Sequence, residues 1–273
     1  MNTQLIKESI LYRWKTSDKL SKLINIFNNR VEIRFVGGCV RDIFLGFPLK
    51  EIDFAINCKP KETIMILEES NIDYLDTGLS HGTVTALIDK KKYEITSLRK
   101  DIKTYGRFAE VEYTKDWEQD ALRRDFCMNA IYLSMNGDLY DKFNGISDIE
   151  NQKISFIGNT LKRIQEDFLR ILRFYRFLGL FKSPKYNQED LDIVNSNFDK
   201  IRKFVSNEKI KKEILKMLLM PFSKNSFILI GDNNIREKNI LISNLEKWWS
   251  AEKYIQGMDI LERCKKKFNV EKY

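Results

Sequence analysis

The chain has 273 residues, of which 43% are hydrophobic and 32% charged, the composition of an ordinary globular protein with one large core or two smaller ones. A formal net charge of +8 favours a polyanionic partner such as nucleic acid, although a lysine-rich solvated surface would give the same charge. The chain has one histidine and four cysteines without CxxC spacing, which argues against a zinc site and a disulfide framework. It lacks an apolar run long enough to span a membrane and the core of a signal peptide. We therefore expect a cytoplasmic protein.

The first half of the chain carries strand signals. A helix is expected from Gly38 to Leu45, because the following Gly46-Phe47-Pro48 would end it. The turn at residues 135–138 contains Asn-Gly, which predicts a hairpin between the runs 125–133 and 139–143. Branched and aromatic residues cluster or alternate, as in half-buried strands, at residues 31–36, 51–56, 82–88 and 92–97.

From about residue 154 the pattern changes to apolar residues at helical spacing, and glycines become rarer. Helices are predicted at residues 166–181, 188–194, 206–219 and 241–268. We therefore predict an α+β protein with a head of residues 1–150, built on a mixed β-sheet with helices, followed by an all-helical body of residues 151–273.

A glycine pair ends the first predicted strand. Gly37-Gly38 would let a phosphate approach the backbone closely, and Arg41 follows within the first helical turn, where its guanidinium can bind a triphosphate oxygen. Taken alone the motif is weak, because most such glycine pairs form ordinary tight turns.

Two acidic residues separated by one residue lie in the next predicted strand. Glu51 and Asp53 would point to the same face, and adjacent carboxylates are best explained by a hard cation such as Mg²⁺. A solvated edge strand with alternating charge is the simpler explanation of such a pair. Glu94 is a third candidate, and the three carboxylates together can hold two metal ions about 4 Å apart.

Five blocks of residues occur in the order and at about the spacing of a known family. The blocks are residues 37–55, His81-Gly82-Thr83-Val84, Arg123-Arg124-Asp125-Phe126 with Asn129-Ala130, Glu166-Asp167-Phe168-Leu169-Arg170 and, more weakly, residues 206–210. With these blocks the chain resembles the class II tRNA nucleotidyltransferases and bacterial poly(A) polymerases of the DNA polymerase β superfamily. The resemblance implies a polymerase β-like nucleotidyltransferase head and an enzyme that uses CTP, ATP and Mg²⁺ to add CMP and AMP to the 3′ end of tRNA, releasing pyrophosphate.

The resemblance assigns roles to residues of the head. Gly38 and Arg41 match the family's triphosphate contacts, and Glu51 and Asp53 match its metal-binding pair. The remaining matches are Arg124, expected to contact the nucleotide, and Asp125, expected near the ribose. His81 lies where the family has a turn into a strand, so we expect a structural role for it.

The resemblance also implies a nucleotide-recognition helix. It would carry Asp167, Arg170, Arg173 and Arg176, and the three arginines share one helix face because they are three residues apart. Asp167 and Arg170 would then face one base, accepting from the exocyclic amine of C or A and donating to its ring nitrogen. A surface ion pair indifferent to the base is the alternative.

The chain departs from the family pattern at several positions. Glu51 stands where Asp is usual, Cys127 where Thr is usual and Lys209 where Arg is usual. Few residues follow the last block, so the body is expected to be truncated. The tail Lys265-Lys266-Lys267 would either contact phosphate or stay solvated.

Other functions stay open. A poly(A) polymerase or a CC-adding enzyme would use the same chemistry, and residues 98–119, where the family has a flexible loop, weakly favour full CCA addition. A catalytically inactive RNA-binding homologue is the alternative from a different class. The intact Arg41, Asp53 and Arg124 argue against it.

Overall fold

The computed structural model describes residues 18–28, 30–48, 51–105 and 108–229. By its contacts the chain divides into two units, residues 1–150 and 151–273, which are described separately below. The helix predicted at residues 241–268, Cys264 and the three lysines at 265–267 lie outside the described residues. None of the described helices is long and apolar enough to cross a bilayer.

The first unit, the head, is built on a seven-stranded sheet of order β3-β4-β5-β2-β1-β8-β9. Its neighbouring strands are antiparallel, except for β2 and β5, which are parallel. The head strands are β1 (Ile33–Val36), β2 (Asp53–Ile56), β3 (Asp73–Leu75), β4 (Thr83–Ile88), β5 (Lys91–Ser97), β6 (Arg99–Tyr105), β7 (Phe108–Tyr113), β8 (Tyr132–Ser134) and β9 (Leu139–Tyr140).

Helices cover this sheet and bury its branched and aromatic side chains. Phe35 and Phe54 are fully buried and pack ring against ring across the β1–β2 pair, with centroids 4.7 Å apart. Burying two such rings contributes roughly 4 kcal/mol. The head helices are α1 (Asp18–Asn28), α2 (Gly38–Phe44), α3 (Pro60–Glu69), α4 (Trp117–Leu122) and α5 (Gly145–Glu150).

The mixed sheet and the predicted hairpin are confirmed, with two differences. Strand β2 begins at Asp53, so Glu51 lies just before the strand and is exposed, and the prediction that both carboxylates lie within one strand was wrong. Residues 98–119 are not an irregular loop, because β6 and β7 pair there as an antiparallel hairpin with a register shift between Asp101 and Lys103. Alternating β-formers such as Val111 and Tyr113 favour that pairing.

The second unit is mainly helical. Two short strands of this unit, β10 and β11, pair in parallel. The prediction of an all-helical body was therefore wrong for this strand pair. The elements are β10 (Lys153–Ile154), α6 (Thr160–Glu166), α7 (Leu169–Leu178), β11 (Lys185–Tyr186), α8 (Gln188–Ser196), α9 (Lys200–Phe204), α10 (Asn207–Leu218) and α11 (Ser223–Ile228).

The helix predicted at residues 166–181 is interrupted near its start. Asp167 has extended backbone angles, φ −153° and ψ 105°, and stands between α6 and α7. Its Oδ1 accepts a hydrogen bond from the Leu169 amide at 3.0 Å, as an N-cap carboxylate does. Aspartate competes with the helix backbone in this way, and apolar periodicity alone does not reveal it.

A buried ion pair joins α7 to α10. Arg176 Nη1 lies 3.0 Å from Glu213 Oε1, and both residues are buried. Arg176 also lies over the Phe177 ring, 4.4 Å from its centroid. The Arg176 side chain thus contacts residues of its own unit. These contacts do not favour the predicted contact of Arg176 with a nucleotide, which stays a prediction.

A buried carboxylate fixes α4 against the sheet. Asp120 is 1% exposed and pairs with Arg123 at 2.8 Å and with Arg124 at 3.1 Å. The Tyr132 hydroxyl, on β8, donates to the same carboxylate at 2.7 Å. Burial alone would raise the pKa of Asp120, but the two arginines and the tyrosine lower it to about 2.

We expect the Asp120→Asn variant to be less stable than the parent by about 3 kcal/mol at pH 6, because the partly buried guanidinium groups of Arg123 and Arg124 lose their buried anion. The folded pKa of about 2 is below the ordinary 3.8, so this stability is fully present above pH 3.8 and is lost as pH falls through 2. Urea unfolding between pH 6 and pH 3 measures the difference, which should shrink toward acid. Asp73→Asn, at an exposed carboxylate of β3, is the control; an equal loss in both variants would contradict the prediction.

Candidate functional site

The glycine turn lies where β1 ends and α2 begins. Gly37 has φ +75°, a conformation that side chains other than glycine's rarely adopt, and its carbonyl accepts the Arg41 amide at 3.0 Å. A Cβ at Gly37 would lie 3.4 Å from Arg124 Nη1. The turn therefore brings bare backbone close to a buried guanidinium, an arrangement that can receive an anion.

Arg41 is held at this turn by two partners. Its Nη1 donates to Asn129 Oδ1 at 2.7 Å, and its Nε and Nη2 donate to Asp42 Oδ1 at 2.9 and 2.6 Å. The side-chain Nδ2 of Asn129 donates in turn to Asp125 Oδ1 at 3.1 Å. Two predicted site residues, Arg41 and Asp125, are thus brought together through Asn129.

The acidic residues meet where β2 begins. Asp53 stands directly opposite Glu94 in the parallel β2–β5 pair. Burial first, and then the charges of Glu94 and Glu51, raise the pKa of Asp53 to about 6, while Arg124 lowers it. In the described part of the chain no hydrogen bond or ion pair to the Asp53 or Glu94 carboxylate is formed. Among the described residues, therefore, no protein cation is bound to these carboxylates.

Arg124 is a positive group whose charge acts on Asp53. Its Nε donates to the Tyr132 hydroxyl at 3.0 Å, and its Nη2 donates to Asp120 at 3.1 Å. Burial opposes the charged form, but Tyr132 and Asp120 outweigh it and raise the pKa of Arg124 above its ordinary value. The guanidinium therefore stays charged beside Gly37 and Asp53.

Three residues to which the sequence assigned no role orient this site. Asp120 and Tyr132 fix Arg124, and Asn129 links Arg41 to Asp125. A signal existed for Asp120, because Arg123 and Arg124 follow it at i+3 and i+4, the spacing of helix ion pairs. Asn129 lies in one of the five motif blocks, although no role was assigned to it there. Tyr132 gave no such signal, because its contacts depend on how the sheet is assembled.

The acidic cluster fits a magnesium ion only in part. No closed cage of three or more ligands exists among the described residues. Mg²⁺ commonly binds to one or two carboxylates and completes its shell with water and substrate phosphates. Asp53 and Glu94, with Glu51 beside them, would be the oxygen donors of such an open site. Burial first, and then the charges of Glu94 and Glu51, raise the pKa of Asp53, and a bound cation would oppose these effects.

Three of the predicted recognition residues, Arg170, Arg173 and Arg176, lie on α7 in the second unit, and Asp167 precedes that helix. Arg170 Nη1 donates to the Arg163 carbonyl at 2.6 Å and to Glu166 Oε2 at 2.7 Å. Asp167 precedes the helix, so the prediction that it shares one helix face with Arg170 was wrong. Arg173 lies 5.7 Å from the centroid of the Phe177 ring.

His81 ends a single 3₁₀ turn, Leu79–His81, directly before β4. Its side chain is exposed, and Gly82 after it has φ +74°. This is the turn into a strand that the sequence predicts.

Comparison with known proteins bears on both units. Residues 33–155 match the family described as the poly A polymerase head domain. The human protein named mitochondrial CCA tRNA nucleotidyltransferase 1 is 36% identical over 247 residues, covering 88% of this chain and 57% of the relative. The zebrafish (Danio rerio) protein of the same name is 39% identical over 207 residues, covering 74% and 48%.

A solved structure shows the same fold. The Bacillus stearothermophilus CCA-adding enzyme in complex with CTP superposes with a TM-score of 0.70 at 28% identity, covering 81% of this chain and 53% of that one. This chain thus spans about half the length of the curated relatives it matches. The predicted α+β head with a helical second unit is confirmed, residues 33–155 belong to the family described as the poly A polymerase head domain, and the chain is similar to CCA-adding enzymes and CCA tRNA nucleotidyltransferases.

Proposed function

We propose that this chain adds CMP and AMP, from CTP and ATP, to the 3′ end of tRNA and so builds or repairs its CCA end. The observation that carries the proposal is the Asp53–Glu94 pair, two carboxylates in register on parallel strands to which no described side chain is bonded, beside a glycine turn and the partly buried Arg124. A site of this composition suits transfer of a nucleotidyl group, because metal-bound carboxylates and a charged guanidinium stabilise a triphosphate.

In this proposal the glycine turn and Arg41 bind the triphosphate. Gly37 and Gly38 let phosphate oxygens approach the backbone, and Asn129 with Asp42 keeps the Arg41 guanidinium in a fixed orientation. Fixing the donors beforehand reduces the reorganisation needed during reaction. Asp125, held through Asn129, is proposed to lie near the ribose.

Asp53, with Glu94 and Glu51 beside it, is proposed to hold Mg²⁺, which when bound would activate the 3′-hydroxyl and stabilise the departing pyrophosphate. Arg124 supplies a permanent positive charge to the same region, since Tyr132 and Asp120 keep it ionised. The two arginines thus offset the charge of the triphosphate from the protein side.

Base selection is proposed to depend on Asp167 and Arg170. Glu166 and the Arg163 carbonyl hold the Arg170 guanidinium, and the Asp167 backbone is fixed by its bond to Leu169. An acceptor and a donor held in this way match the edges of C and A and mismatch those of U and G. Arg173 is proposed to assist this contact.

Two alternatives use the same residues. A poly(A) polymerase or a CC-adding enzyme would differ only in its product, and an inactive RNA-binding homologue would keep the fold without turnover. The compartment also stays a prediction, the cytoplasm, because relatives such as the human protein are named mitochondrial.

Transcripts of tRNA ending before the CCA, after C and after CC separate these functions. Each is incubated with the protein, Mg²⁺ and one NTP, and product lengths are measured on a gel. We expect C added to the first two transcripts and a single A to the third. Long A tracts would indicate a poly(A) polymerase, a stop after CC would indicate a CC-adding enzyme, and no extension of any transcript would contradict the proposed activity.

Replacing Asp53 by Asn should abolish nucleotide addition, lowering the rate by at least about 100-fold, because the carboxylate proposed to hold the metal is lost. Affinity for tRNA should change little. Glu51→Asp should be as active as the parent or faster, since it restores the family's usual residue. Asp73→Asn serves as the matched control in the same sheet, and full activity in Asp53→Asn would remove this site from the mechanism.

Replacing Asp167 should weaken discrimination against UTP and GTP more than it weakens triphosphate binding. Asp167→Ser keeps an oxygen that can cap α7, while Asp167→Ala removes it, so comparing the two separates base reading from helix capping. Single-nucleotide addition with all four NTPs measures selectivity. If both variants select C and A as the parent does, this residue does not read the base.

A further inference from the structure

Two aromatic rings of the second unit stack on each other beside Asp167. Phe168 directly follows Asp167, and its ring stacks on Phe204 of α9, with centroids 4.8 Å apart and planes 18° from parallel. Phe204 is 58% exposed, although one face of its ring lies against Phe168. A large aromatic ring is therefore presented to solvent next to a residue proposed to read the incoming base.

Packing does not account for the exposed ring. Ile201 and Val205 are both buried and already anchor α9 to the rest of its unit. A single exposed apolar side chain needs no special explanation, but here the ring is supported from behind and held in a fixed plane. Such support favours a surface on which another flat group can stack.

A lysine side chain lies near each of the two rings. Lys203 Nζ lies 5.4 Å from the centroid of the Phe204 ring, and Lys200 Nζ lies 5.9 Å from that of Phe168. Lys200, Lys203 and Phe204 share one face of α9, because they are spaced i, i+3 and i+4. Arg202 adds a further exposed positive charge on this helix. Aromatic rings combined with cations are the usual means by which proteins bind unpaired nucleic-acid strands.

We propose that Phe204, supported by Phe168, is a stacking platform for one unpaired base at the 3′ end of the RNA, and that Lys203 and Arg202 contact the flanking phosphates. The proposal rests on the proposed function for the identity of the RNA. The bases of a tRNA 3′ end are unpaired, so their faces are available to a ring. The positive charge of α9 complements the backbone on either side of the stacked base.

The test uses a tRNA transcript lacking its CCA end, with 2-aminopurine as its last unpaired base, and the full chain without NTP. Stacking quenches the fluorescence of this base, so the parent should quench it on binding. Phe204→Leu keeps apolar volume without an aromatic face and should bind about tenfold more weakly with little quenching. Phe204→Tyr keeps the ring and should behave as the parent does.

Two further variants complete the design. Met65→Ala, at a side chain 56% exposed on α3, is the matched control and should bind and quench as the parent does. Lys203→Ala should reduce the slope of log affinity against log salt by about 0.7, as expected for one phosphate contact on a single strand. Thermal unfolding of each variant tests whether any loss reflects misfolding.

The platform is refuted if Phe204→Leu binds and quenches as the parent does, or if Phe204→Tyr loses as much as Phe204→Leu. The proposed function fails separately, if the parent extends no transcript while Phe204→Leu still shows weaker binding. In that case the chain is an RNA-binding protein that keeps the stacking platform.

Discussion

Two carboxylates held at the same register of neighbouring parallel strands are the constraint on which the rest of the head depends. Asp53 stands opposite Glu94, and burial first, and then the charges of Glu94 and Glu51, raise the pKa of Asp53 to about 6. A fold that served stability alone would place an arginine between them. This fold instead keeps Arg124 close enough to lower that pKa but binds it to other partners.

Those partners explain why the arginine stays in place. Asp120 is buried and bonded to Arg123, Arg124 and the Tyr132 hydroxyl, so each buried charge is offset without using the carboxylates of the site. Asp42 offsets the charge of Arg41 in the same way, and Asn129 fixes the orientation of its guanidinium. Positive charge is therefore available beside the glycine turn, and negative charge remains available for a cation.

In the second unit, an interruption of a helix positions the candidate residues. Asp167 interrupts what the apolar pattern predicts as one helix, and the break leaves Arg170 in the first turn of α7, held by Glu166. The same break places Phe168 where it stacks on Phe204. The proposed base-reading pair and the ring that supports Phe204 thus adjoin each other along the chain, because α7 starts three residues later than the apolar periodicity predicts.

The sequence by itself determined the family, the mixed sheet of the head, the helical second unit and most of the candidate residues, because glycine turns, alternating strands and the order of five motifs are local properties of the chain. Only the tertiary structure decided which residues face one another. It placed Glu51 outside its strand, set Asp53 opposite Glu94, turned Arg176 toward Glu213 and gave Arg124 its partners. Strand register, helix interruption and buried ion pairs depend on contacts between distant segments, and a periodic pattern carries no information about them.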